Sequence, residues 1–179
     1  ESIKRFSAAV VESFGRIDIL VNNAVDRRNM TSLANATRQK LQDSVSTNLN
    51  GQILLSQAVL EYMIPQKSGS IINISSMRGL DSPHFPFYPD TFGDQPVNYT
   101  TEKWAMVGLT KYMAGRYGKY NIRVNCIAPG GYDPGLADAP DKKKFVDTYI
   151  ENCPLGRWAN EDDYVTSATL VMDGGWTIW

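Results

Sequence analysis

Three runs in this chain are rich in apolar residues, and each stops at small or amide residues. They are "IDILVNNA" (residues 17–24), "GSIINISS" (69–76) and "NIRVNCIAPGG" (121–131), with a fourth, "TSATLVMDGG" (166–175), near the end. Read as strands apolar on both faces, they need cover on both sides, the condition of a parallel sheet rather than a half-wet antiparallel one. Between them lie segments with helical spacing. In "IKRFSAAVVESFGR" (3–16), Ile3, Phe6, Val10 and Phe14 fall on one stripe and Gly15 stops it. "TRQKLQDSVSTNLNGQILLSQAVLEYMIPQ" (37–66) reads as one long helix, polar at first, then apolar, ended near Pro65. Strands alternating with helices predict βαβ units, a parallel sheet with helices on both sides, in one α/β domain over 1–179.

In such a sheet, ligands bind beyond the carboxyl ends of the strands. The residues there are Asn22, Asn23 and Ala24 after the first run, Ser75 and Ser76 after the second, and Pro129, Gly130 and Gly131 after the third. A further helix, "NYTTEKWAMVGLTK" (98–111), follows the second run and starts near the same edge. It sets Tyr99 four residues before Lys103, so phenol and ammonium share a helix face. Taken alone, such a pair is ordinary helix surface. Trp104, Met106 and Val107 read as core packing.

Several classes fall away. With 179 residues, 42% apolar and 21% charged, the composition is that of a globular chain with one full core. A net charge of −1 gives no attraction to nucleic acid, and Lys142, Lys143 and Lys144 read as solvated surface. No apolar stretch reaches the ~20 residues that span a bilayer. Cys126 and Cys153 have no metal-ligand spacing and read as reduced packing residues in a cytoplasmic protein, so no metal is expected. His84 is the lone histidine, set in a Pro-rich loop, and no Gly-x-Ser-x-Gly elbow surrounds a serine, which argues against a Ser-His-Asp hydrolase.

Six stretches in order, "LVNNA", "NLNG", "GSIINISSMRG", "YTTEK", "NIRVNCIAPGG" and "VMDGG", resemble the short-chain dehydrogenase/reductase family from one end of the chain to the other. The resemblance implies a doubly wound Rossmann sheet and an NAD(P)-dependent oxidoreductase that interconverts a secondary alcohol and a carbonyl. It implies catalytic roles for four residues. Tyr99 is the general acid/base; a free phenol has a pKa near ~10, and the Lys103 ammonium favours its ionised form. Lys103 also bonds the cofactor ribose. Ser76, followed by Met77, Arg78 and Gly79, holds the substrate oxygen in preference to Ser75. Asn48, in preference to Asn50, breaks its helix locally and holds a water in the proton relay. Asn22, Asn23, Ala24, Tyr99, Lys103, Pro129, Gly130 and Tyr132 line the cofactor, either NAD or NADP. A homo-oligomer, a tetramer or a dimer, is expected to form through the helices around 41–63 and 99–117 and the last strand.

The stretch departs from the family pattern at identifiable places. It carries no Gly-rich pyrophosphate turn, so the first βαβ part of the fold is expected to be unrepresented here. If that turn is truly lacking, the alternative is a catalytically silent Rossmann-like binding or scaffold protein. Val25 stands where the family has glycine, and a β-branched residue disfavours positive φ. Tyr99 lies 23 positions after Ser76, a wide gap filled by "SPHFPFYPDTFGDQP". Its prolines and aromatic rings suggest a semi-rigid wall, with Arg78, His84, Phe85 and Tyr88 as pocket candidates. Such insertions resemble those of relatives acting on sugar-like, polar hydroxylated compounds. Finally, Asp163 runs straight into "YVTSATLVMDGG" with no crossover helix, which predicts a missing helix between 163 and 164.

Overall fold

The computed structural model describes residues 1–88, 94–131 and 140–157. The order is α1 (Ser2–Phe14), β1 (Ile19–Asn22), α2 (Arg38–Val45), α3 (Gly51–Gln66), β2 (Gly69–Ile74), α4 (Val97–Tyr117), β3 (Ile122–Ile127) and α5 (Lys143–Glu151). The three strands form one parallel sheet in the order β1-β2-β3. Register pairs Asn22 with Asn73 and Asn73 with Cys126, so all three strands end at one edge. The fourth predicted strand, Tyr132 and the 163–164 junction lie outside the described residues.

The core forms where α3 and α4 lie against one face of this sheet. Leu20, Ile71, Ile122 and Val124 from the strands meet Val59, Leu60 and Met63 of α3 and Met113 of α4. Met63 and Ile71 are fully buried, each worth about 1.5–3 kcal/mol relative to exposure. On the other face Ile19, Val21 and Ile127 remain at least half exposed, so the described helices cover only one side of the sheet; on β3 that open side also carries Arg123 and Asn125, not the apolar face expected.

The helix ends follow local chemistry. Gly15 closes α1 in the left-handed region at φ 81°, its N–H donating to the Val11 carbonyl. Thr37 caps α2, its side chain accepting from the Lys40 N–H. Pro96, extended at ψ 120°, precedes α4, and the Val97 N–H donates to the Thr31 carbonyl. That bond satisfies one of the free amides of the first turn.

Four expectations need correction. The long helix over 37–66 is two helices joined by a π-turn, Ser46–Asn50, a local break centred where Asn48 was expected to cause one. Pro65 sits inside the last turn of α3 and does not end it; Lys67 does, at φ 50°. Phe6 and Phe14 are exposed: α1 buries the face of Ser7, with Val10 and Val11 packed on the core, Phe6 lies about 100° round from Ser7, and Phe14, although on Ser7's face, is the last residue of the helix. Trp104 is half exposed and Val107 only half-buried, whereas Met106 is buried. In α4 the sheet-facing line runs through Lys103, Met106, Thr110 and Met113 instead.

Candidate active site

The loop after β1 has almost no regular structure of its own, yet its backbone is tied down by side chains at nearly every step. Asn22 donates from Nδ2 to Asn73 Oδ1 (2.8 Å) and Ser56 Oγ (2.9 Å). Gln52 Nε2 donates to the Ala24 carbonyl at 3.0 Å. Asn48 takes both backbone groups of Asp26, accepting its N–H at 2.7 Å and donating to its carbonyl at 3.0 Å. Asn98 likewise accepts from the Thr31 N–H and donates to the Asn29 carbonyl, each at 3.0 Å. Amides suit this task because each offers one acceptor and two donors in a plane. Val25 does not take positive φ, so the turn accommodates its β-branch without strain. Beside it Arg28 forks onto Asp26 and holds that carboxyl down at about 2, chiefly through side-chain and backbone hydrogen bonds.

Beyond β2 the ladder continues as the chain turns. The Ser75 N–H donates to the Ile127 carbonyl at 2.7 Å and the Met77 N–H to the Pro129 carbonyl at 2.9 Å. These bonds set Ser76 next to the Pro129–Gly131 turn. The two serines differ in what they can do. Ser75 is buried and its hydroxyl donates to the Lys103 carbonyl at 2.7 Å, so its proton is committed. Ser76 Oγ accepts from the Arg78 N–H at 3.2 Å, which leaves its proton for another oxygen.

Lys103 connects α4 to this edge. Its Nζ donates to the Ile74 carbonyl at 2.7 Å and lies 5.7 Å from the centroid of the Tyr99 ring. Burial pulls its pKa below the ordinary lysine value; the positive charge of Arg27 acts in the same direction and Glu102 opposes it. Gly79 explains how the helix comes so close. A Cβ there would stand 2.5 Å from the Lys103 carbonyl oxygen and 2.8 Å from its carbon.

Other predicted residues are divided. Asn48 is buried and Asn50 exposed. Asn23 and Ala24 are exposed on the loop. Arg78 donates to Tyr88 Oη at 2.5 Å and to the Ser82 carbonyl at 2.8 Å. His84 and Phe85 are exposed; His84 stacks on Phe87 at 3.8 Å, and no described contact ties either residue to Ser76 or Tyr99.

Sequence reasoning missed two groups. On α5, Phe145 stacks on Tyr88 at 5.0 Å, and Tyr149 Oη accepts from the Gly131 N–H at 2.9 Å beside Met77. Their i, i+4 spacing on a short amphipathic helix was the available signal. The second group is Glu102 with Ser44 and Asn98, polar residues buried between α2 and α4. Nothing in the local pattern marks them, since a glutamate in mid-helix ordinarily faces water.

Among the described residues, no helix is long and apolar enough to cross a membrane and no cluster of potential metal ligands occurs.

Comparison with known proteins identifies the family. A family model described as "short chain dehydrogenase" matches residues 1–144. The chain is 33% identical to a 3-oxoacyl-[acyl-carrier-protein] reductase of Thermotoga maritima, covering 99% of this chain and 73% of that protein. Its fold is similar to the crystal structure of a short chain dehydrogenase from Leptospira borgpetersenii with bound NAD+, at TM-score 0.75 and 31% identity. A gluconate 5-dehydrogenase from Burkholderia cenocepacia, in complex with NADP and tartrate, gives TM-score 0.73 at 28% identity. In both comparisons the match covers 88% of this chain and 58% of the solved one, so the chain spans rather more than half the length of these structures. On the match over most of its length, the chain belongs to the short-chain dehydrogenase family of NAD(P)-dependent oxidoreductases.

Proposed function

We propose that the protein interconverts a secondary alcohol and a carbonyl, with Tyr99 as the general acid/base. The observation that carries this reading is the state of Lys103. Its ammonium is buried, held to the end of β2 through one of its three protons, and faces the Tyr99 ring. Two N–H donors are left over at the sheet's carboxyl edge, a donor set that suits the ribose hydroxyls of a nicotinamide dinucleotide. NAD or NADP bound there would supply or accept the hydride. Asn22, Asn23, Ala24, Pro129, Gly130 and Tyr132 are the residues that line it in this reading.

The protein's own groups handle the proton and the substrate. Tyr99 gives its proton to the carbonyl oxygen in reduction and recovers it in oxidation. The adjacent positive charge of Lys103 stabilises the oxygen left behind. The free proton of Ser76 holds the same substrate oxygen in place, and Asn48 supports the path by which Tyr99 is reprotonated. In this reading Met77 and Tyr149, which meet at Gly130 and Gly131, help keep water from the reacting atoms, with Phe145 between Tyr149 and Tyr88 beside them.

The substrate class we favour is a polyhydroxylated compound such as a sugar acid or polyol. The likeness to a gluconate 5-dehydrogenase holding tartrate supports it, as does the hydrogen-bonding Arg78–Tyr88 pair beside Ser76. We further place the protein in the cytoplasm, on the strength of two free cysteines, and as a homo-oligomer, preferably a tetramer. Ile53, Leu54, Trp104 and Tyr112 leave an apolar strip exposed on α3 and α4. A monomer by light scattering at micromolar concentration would contradict the assembly.

The activity is tested on the full-length protein with a panel of polyols, sugar acids and hydroxy acids, each offered with NAD and NADP. Cofactor reduction with members of that panel is the expected result. Failure to bind either dinucleotide would overturn the reading.

A further inference from the structure

The buried carboxylate of Glu102 has no place in the chemistry above, yet it touches a group that does. Glu102 is 4% exposed and forms no ion pair among the described residues. Its two oxygens are both acceptors: Oε1 takes the Ser44 hydroxyl at 2.7 Å and Oε2 takes Asn48 Nδ2 at 2.9 Å. Ser44 Oγ in turn accepts from Asn98 Nδ2 at 2.9 Å. Asn98 spends its second amide proton on the Asn29 carbonyl and its oxygen on the Thr31 N–H.

The accounting leaves little freedom. Asn48 has two amide protons, and its shortest contacts send them to the Asp26 carbonyl and to Glu102. Its oxygen is claimed by the Asp26 N–H. Turning the Asn48 amide over would bring N–H against N–H at Asp26 and oxygen against carboxylate at Glu102. Two independent neighbours therefore select one orientation. A buried charge is costly unless donors satisfy it, and an apolar side chain of similar volume would pack there at lower cost. What an apolar residue cannot do is hold Asn48 within the π-turn, the kind of helix irregularity that recurs at functional sites.

We infer that Glu102 is a positioning residue: by receiving Asn48 Nδ2 while Ser44 fixes its other oxygen, it locks the Asn48 amide and π-turn 46–50 in the arrangement that catalysis requires. It also joins that turn to the helix bearing Tyr99 and Lys103. This rests on the reading of Asn48 given above.

The test compares full-length wild type with Asn48→Ala, Glu102→Gln and the double variant, with Ser44→Ala as a gentler probe. Glu102→Gln keeps the volume but presents an N–H where one donor already points. We expect Asn48→Ala to lower kcat. Glu102→Gln should lower kcat on the order of 10- to 10²-fold, as a small misplacement can, while the dissociation constant for the dinucleotide stays within about twofold of wild type. In the double variant, kcat should be no lower than in Asn48→Ala alone. Ser44→Ala should give a smaller loss, also absorbed when Asn48 is already alanine. If Glu102→Gln does not fold, Ser44→Ala carries the same comparison.

Losses that multiply in the double variant would overturn the inference, since Glu102 would then act by another route. A lower melting temperature with unchanged kcat would reduce Glu102 to a structural residue and overturn it too. Unchanged kcat in Asn48→Ala would refute the underlying reading of Asn48, and that outcome is visible separately.

Discussion

Replacing Gly79 by alanine puts the smallest possible load on the contact between the Ser76 turn and α4. The new Cβ would stand 2.5 Å from the Lys103 carbonyl oxygen and 2.8 Å from its carbon, and would also strike Ser75 Oγ. Ordinary contact begins near 3.4 Å, so the gap at the carbonyl must open by roughly 0.9 Å. Ser75 can turn its hydroxyl away, but that gives up its bond to the same Lys103 carbonyl. The carbonyl belongs to helix backbone and cannot move alone. Either α4 retreats from the sheet edge or the turn carrying Ser76 lifts off. Overpacking of this kind costs about 1–3 kcal/mol. A displacement near 1 Å between reacting groups costs on the order of 10²-fold in rate. Gly79→Ala should therefore fold, lose about 1–3 kcal/mol in denaturant unfolding, and lose far more activity than that instability explains. The activity is read as kcat under conditions where circular dichroism shows the variant folded. Full activity and full stability in this variant would refute the argument that the turn and the helix are in contact at the closest approach a glycine allows.

Lys103→Met should abolish most of the turnover, and its stability should vary with pH in a defined way. Burial lowers the folded pKa of Lys103 below the ordinary 10.5, so between that lowered value and 10.5 the unfolded chain binds more protons. Stability contributed by Lys103 thus rises with pH across that window. Denaturant midpoints should show wild type gaining on the methionine variant as pH rises; a pH-independent difference would oppose this. Asn73→Leu removes a fully buried amide that accepts from Asn22 and donates to Thr110 at 2.8 Å each. The expected loss is about 1–3 kcal/mol in chemical denaturation, and no measurable loss would show that the amide ladder does not hold the strand ends together.

What the sequence made legible follows from how local each signal is. The strands over 19–22, 69–74 and 122–127 could be read because parallel strands are apolar on both faces and end abruptly in polar turns. The Tyr99–Lys103 pair could be read because one helical turn fixes its geometry without knowledge of the rest. The π-turn was half legible: its place at Asn48 was expected, but the partners of Asn48, Asp26 and Glu102, lie far away in sequence. Trp104 was misread because helical apolar pattern does not tell a sheet-facing stripe from an outer one. Glu102 and the amides Asn73 and Asn98 were invisible for the opposite reason. Composition marks them as surface residues, and only the assembled fold supplies the donors and acceptors that make their burial affordable. The pairing of Phe145 with Tyr88 likewise depends on how a helix and a loop distant in sequence meet.

The most direct test of the account is Tyr99→Phe in the full-length protein, followed by single-turnover oxidation of an accepted alcohol with saturating dinucleotide. The ring remains to pack beside Lys103, while the exchangeable proton is gone. The account predicts unchanged melting temperature, dinucleotide affinity close to wild type, and a loss of at least ~10² in the rate of hydride transfer. A phenylalanine variant that turns over at a rate close to wild type would contradict it and remove Tyr99 from the chemistry.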